Sequence, residues 1–156
     1  SINPSINHHI QIMSAIEEKT PQQKLFNFSC HCGDVKFLCN LDSDLGQSQR
    51  CNCSSCFATR LWEHPVTDPQ SFKLLTPESN IGDYRHGSKQ IGHYFCKTCG
   101  TQVYVRGEFP GFGPIFYVSI TCIQGLTQEQ FAAIPIHYVD GAEDNYMEPP
   151  IFTKHL

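Results

Sequence analysis

From Leu25 onward the chain alternates apolar and polar positions in short runs, which is the signature of half-buried strands rather than helices. Phe26 and Phe28 alternate with Asn27 and Ser29, and Val35, Phe37 and Cys39 follow the turn signal Cys32-Gly33-Asp34. The two runs predict a hairpin with a cysteine pair at its bend. Ser71 to Leu75 and Ile81 to Arg85 read as short strands split by Pro77 and Asn80. Ile91 to Phe95 leads into Cys96, Thr101 to Val105 leads away from Cys99, and Ile115 to Ile120 forms another β-type run. Thr127 with Gln130 matches a capping box, which opens a short helix through Ile134 before Pro135 stops it. Ile136 to Val139 reads as a last strand. Many short strands with one or two short helices predict a mainly β single domain of antiparallel strands.

The ends of the chain break this pattern. Residues 1–24 read as a flexible N-terminal segment. Within it Met13-Ser14-Ala15 resembles a native start, so 1–12, including His8 and His9, reads as an added leader with no functional role. The folded domain is expected over 25–142, with an irregular C-terminal tail over 143–156. Pro110-Gly111-Phe112-Gly113-Pro114 reads as a turn, not a phosphate-binding loop, because a β run follows it instead of a helix.

Composition narrows the function classes. A length of 156 residues, 40% of them hydrophobic, fits one domain with a real core. A formal charge of −4 and scattered cations give no basic stripe, so no nucleic-acid partner is expected. No apolar run reaches spanning length, so no membrane partner is expected either. Oligomeric state is not readable. The odd number of nine cysteines and their close spacing argue against a disulfide framework and for a reducing compartment, read as cytoplasmic.

Seven of those cysteines form three clusters: Cys30-His31-Cys32, Cys51-Asn52-Cys53-Ser54-Ser55-Cys56 and Cys96-Lys97-Thr98-Cys99-Gly100. Sulfurs this close in sequence can aim at one ion. Structural zinc takes four protein ligands, and catalytic zinc takes three plus an open position. The outer pairs, Cys30, Cys32, Cys96 and Cys99, therefore predict a structural zinc that clips the start of the domain to its middle. The middle trio, Cys51, Cys53 and Cys56, predicts a second zinc. Either its fourth position is open for chemistry, or it is closed by His31, His64, His93 or a carboxylate. His93 and His64 are the candidate catalytic proton-transfer residues, with Phe57, Trp62 and Tyr94 as candidate pocket walls. Cys39 and Cys122 sit in apolar runs and read as small core residues.

At these residues the chain resembles the glutathione-dependent formaldehyde-activating enzyme family, which includes centromere protein V-like proteins and has an Mss4-like β fold. The resemblance rests on Cys30 to Phe37, Cys51 to Cys56, Tyr84-Arg85-His86-Gly87-Ser88 and His93 to Gly100, and spans about residues 25 to 125. It implies that the outer clusters hold the structural zinc and the trio holds the catalytic one. It also implies a small-molecule substrate, with glutathione as a co-substrate and carbon–sulfur lyase chemistry with formaldehyde. Phe57-Ala58-Thr59 stands where family members often carry basic residues, which favours a larger, less charged substrate acted on by a zinc lyase, decarboxylase or hydrolase in specialised metabolism. The competing class is a non-catalytic, zinc-stabilised protein-binding module of the same fold.

Overall fold

The computed structural model describes residues 21–156, so the expected leader over 1–12 lies outside the described residues. The predicted first hairpin is β1 (Gln23–Ser29) and β2 (Lys36–Asp42), paired antiparallel from Gln23↔Asp42 to Ser29↔Lys36. β1 thus begins two residues inside the expected lead-in segment. The strands that follow are β3 (Gln49–Cys51), β4 (Glu63–Pro65), β5 (Lys73–Leu74), β6 (Ile81–Tyr84), β7 (Ile91–Cys96), β8 (Gln102–Phe109), β9 (Gly113–Ser119) and β10 (His137–Val139). Among the described residues two short α-helices accompany the strands, α1 (Ser54–Thr59) and α2 (Gln128–Ala133). α2 carries the expected capping box, with Thr127 and Gln130 bonding each other's backbone nitrogens.

The strands form a three-stranded sheet, β1-β2-β5, and a seven-stranded sheet in the order β10-β3-β4-β9-β8-β7-β6. Every pairing is antiparallel except β10 with β3, which is parallel. The mainly β reading therefore holds. The sheets meet through aromatic side chains. Phe28 stacks on Phe37 at 4.5 Å, Phe37 meets Tyr104 edge-on at 5.8 Å, and Phe72 packs between Phe37, Tyr104 and Phe116. Edge-on pairs of this kind add about 1 kcal/mol each beyond the area they bury. Cys39 and Cys122 lie buried in this core, as expected.

Period-two alternation decides what the other face of the large sheet carries. Tyr104, Phe116 and Val118 point into the core, so their neighbours Val105, Ile115 and Tyr117 point away from it and line a cavity. The register aligns these positions across strands: Val105 lies opposite both Tyr117 and His93, Pro65 opposite Tyr117, and Cys51 beside Val139.

Candidate metal centre and its cavity

Two turns of the same construction hold the four-cysteine cluster. In the first, the Cys30 N–H donates to Val35 O at 2.9 Å and Gly33 takes φ +88°. In the second, the Cys96 N–H donates to Thr101 O at 2.9 Å and Gly100 takes φ +75°. These glycines reverse the chain in a conformation that side chains oppose. The turns are joined by the Thr98 hydroxyl donating to Asp34 at 2.6 Å. Sulfurs of Cys30, Cys32, Cys96 and Cys99 all lie within 4.8 Å of one another. Cys32 Sγ stands 3.7 Å from Cys30 Sγ and 3.6 Å from Cys96 Sγ. A tetrahedral site with metal–sulfur bonds of about 2.3 Å has sulfur–sulfur edges of about 3.8 Å, so the donor set fits an ion at its centre. Burial opposes ionisation of Cys99, but hydrogen bonds from Thr101 and Cys32 outweigh it and lower this thiol to about 5. His31, between two of the cysteines, is exposed and outside the group.

Cys51, Cys53 and Cys56 also bring their sulfurs within 4.8 Å of one another. Cys51 ends β3. Cys53 is the N-cap of α1, and its sulfur accepts the Cys56 N–H at 3.5 Å. The Cys53 N–H donates to Cys51 Sγ at 3.4 Å. Hydrogen bonding from the Cys51 and Cys56 thiols, then from backbone N–H groups, lowers Cys53 to about 2, whereas hydrogen bonding pushes Cys51 up, chiefly through Cys53, and Cys56 up, through Cys51 and then Cys53. Three soft donors around one centre suit a thiophilic ion. Among the described residues, no histidine or carboxylate joins the trio as a fourth ligand.

Asn52, between two of these cysteines, builds a wall beside the sulfurs. Its side-chain amide donates to Asp140 Oδ1 at 2.6 Å, and its oxygen accepts the Ala142 N–H at 2.9 Å. This clamp presses Gly141 against the trio so closely that a β-carbon there would lie 2.5 Å from Cys51 Sγ. Only a residue without a side chain fits this position.

The trio opens into a cavity of about 940 Å³. His93 lines it, with Nδ1 3.3 Å from the Gln102 amide nitrogen and its ring 5.0 Å from that of His86. Burial and then the neighbouring His86 lower the His93 pKa, which keeps the imidazole neutral. His64 does not reach the cavity. Alternation on β4 turns it into the core, where Nδ1 meets Pro65 O at 2.7 Å and Nε2 has no hydrogen-bond partner. Nε2 stands 3.8 Å from Asp42, but burial lowers the His64 pKa, so the two are not an ion pair. The same alternation sends Glu63 into the cavity wall instead. Glu63 accepts from Gln49 at 3.0 Å, and burial pushes its carboxyl up to about 7.

The expected aromatic walls are also replaced. Trp62 is buried with Nε1 donating to Ser48, Tyr94 stacks on Tyr104 on the core side, and α1 turns Phe57 outward against His155. The rings that do line the cavity are Phe109, Phe112, Tyr117 and Tyr146. Tyr146 comes from the segment expected to be an irregular tail.

The sequence profile of the glutathione-dependent formaldehyde-activating enzyme family matches residues 25–138. The chain belongs to this family. The same fold recurs in a crystal structure of a protein from Rhodobacter sphaeroides, with a TM-score of 0.60 and 21% identity over 71% of this chain and 99% of that one. The profile match covers all seven clustered cysteines and His93, so the family's domain contains both metal-competent clusters of this member.

Proposed function

We propose that this member of the formaldehyde-activating family is a zinc-dependent lyase that makes and breaks a carbon–sulfur bond between a thiol and an aldehyde. The observation that carries the reading is the trio: three convergent sulfurs, no fourth protein ligand among the described residues, and a cavity beside them. Cys30, Cys32, Cys96 and Cys99 would hold a structural zinc, and Cys51, Cys53 and Cys56 a second one. When bound at the trio, zinc supplies a Lewis acid and a holding position for a thiolate.

The chain's own residues provide the remainder. In the forward direction the thiol sulfur bonds to the carbonyl carbon, and its proton ends on the carbonyl oxygen; the lyase direction is the reverse. His93 faces the cavity, and with the Gln102 amide nitrogen turned toward Nδ1, its proton sits on Nε2. It is one group able to give and retake that proton. Glu63 is the second, since a carboxyl pushed up to about 7 exchanges protons near neutrality. The apolar walls limit water around the reacting carbon. Nine unpaired cysteines support a reducing, cytoplasmic setting, and the concave cavity beside the trio supports a small-molecule substrate.

The test has two parts. Elemental analysis is expected to give two zinc ions per chain. Exchange NMR is expected to show faster thiol–aldehyde exchange for glutathione with formaldehyde, or for benzyl mercaptan with benzaldehyde, and no acceleration with Cys53→Ala. One zinc per chain and no acceleration with either pair would favour the non-catalytic binding module.

A further inference from the structure

The walls of the cavity bear on which molecules the proposed lyase accepts, and this inference rests on that reading. Among the described residues, no lysine or arginine lines the cavity. The nearby arginines are directed elsewhere. Arg50 lies over the Trp62 ring at 5.4 Å, and Arg106 over Phe116 at 5.2 Å. Both stand at strand positions whose alternation turns them away from the cavity. Arg85 is held 2.8 Å from Asp83, and Arg60 donates to His155 O at 2.6 Å.

The ionisable groups that do face the space are carboxyls, thiols, imidazoles and phenols. Glu63 and Asp144 line it together with the three cysteines. An anion entering here would give up hydration and meet no lysine or arginine in exchange, and a zinc ion at the trio would carry three thiolates that already outweigh its charge. Glutathione would bring two carboxylates.

The mouth offers a different kind of contact. Phe109 ends β8, Phe112 comes from the β8–β9 turn, and Tyr146 from the segment after β10. Their ring centroids are 5.2, 5.3 and 5.7 Å apart, and all three pairs are edge-on. Phe112 is 71% exposed, an apolar ring held at the entrance without burial of its own. Edge-on rings leave flat faces available to a flat, uncharged ligand.

We infer that the cavity selects an uncharged, ring-bearing substrate, held by Phe109, Phe112 and Tyr146 with its reacting carbon toward Cys51, Cys53 and Cys56, and that it discriminates against anionic thiols such as glutathione.

Calorimetric titration of the zinc-loaded full chain with 2-naphthol, 2-naphthoate and glutathione tests this at pH 7.5 and low salt. The first two probes share a ring system and differ in charge. The expected result is a Kd for 2-naphthol at least tenfold below that of either anion. Phe112→Arg, at a position too exposed to disturb folding, is expected to reverse the order by weakening 2-naphthol and tightening 2-naphthoate. Glutathione or 2-naphthoate binding as tightly as 2-naphthol overturns the proposal, as does failure of 2-naphthol to bind or an unchanged order in Phe112→Arg. The readout is binding, so it separates from the lyase reading: a chain that prefers 2-naphthol but accelerates no exchange keeps the selectivity and loses the reaction.

Discussion

Replacing Gly141 with alanine adds one methyl group directly against the Cys51 sulfur. The new β-carbon would stand 2.5 Å from Sγ, 0.9 Å short of ordinary contact, which begins at 3.4 Å. It would also crowd Cys53 Cβ at 3.2 Å. Three parts of the structure could yield. The backbone at 141 is fixed by Asn52, which bonds residues on both sides of it. The end of β3 is fixed by pairing with β10, where Cys51 lies beside Val139. The Cys51 side chain is the softest, because a χ1 rotation moves one sulfur. Metal–ligand distances tolerate shifts of only about 0.2 Å, so a displacement approaching 0.9 Å removes Cys51 from a common centre with Cys53 and Cys56. The expected loss is about 10–100-fold in metal affinity at the trio, or about 1.4–2.7 kcal/mol. The four-cysteine cluster stays unaffected. Competition with a chromophoric chelator resolves the two zinc equivalents and reads the weaker one directly, and a thermal melt reports on the fold. A Gly141→Ala protein that keeps both zinc ions at wild-type affinity would refute the reasoning, because the methyl would then have found room the structure denies it.

Other substitutions separate the roles further. Cys99→Ser is expected to lower the melting temperature by more than about 10 °C through loss of a metal coupled to folding, whereas Cys53→Ser removes activity and the second zinc with a smaller shift, as comparative melts will read. His93→Ala should slow thiol–aldehyde exchange by about 100-fold or more while both zinc ions remain bound; His64→Leu should move the melting temperature and leave trio zinc affinity unchanged. Glu63 gives a pH signature. Its folded pKa of about 7 lies above its ordinary 4.5, so the folded state holds this proton more tightly. The associated stability is full below pH 4.5 and is lost as pH rises through 7, by about 3 kcal/mol in all. Glu63→Gln should therefore gain stability relative to wild type between pH 5 and pH 8, and denaturant melts showing no such pH-dependent difference count against the burial argument.

The parts of this structure written in local pattern were legible from the sequence. The alternation around Phe26, Phe28, Phe37 and Cys39 predicted the first hairpin, Thr127 with Gln130 predicted α2, and cysteine spacing predicted two clusters that the fold assembles. What could not be read depends on which strand lies beside which. β4 spans only Glu63–Pro65, too short to display a period. The sequence therefore puts His64 forward, and only pairing with β9 sets the parity that turns Glu63 to the cavity instead. For the same reason Trp62 was expected at the wall and lies in the core. Gly141 and Tyr146 reach the trio only because β10 pairs parallel to β3 across nearly ninety residues of chain, and no periodicity encodes such a contact. Asn52 was in plain view inside the cysteine motif, but its partners at 140 and 142 were not.

The parallel seating of β10 on β3 also sets an order of events at the ribosome. All four sulfurs of the Cys30–Cys99 cluster have been synthesised once residue 99 has emerged, and that knot can close while the chain is still growing. The trio is made earlier still, yet the wall beside it arrives only with residues 137–146. For the synthesis of some eighty residues, three thiols stand together with one side bare to oxidants and to competing metals. The trio's vulnerable period therefore lasts until β10 has been made and seated on β3.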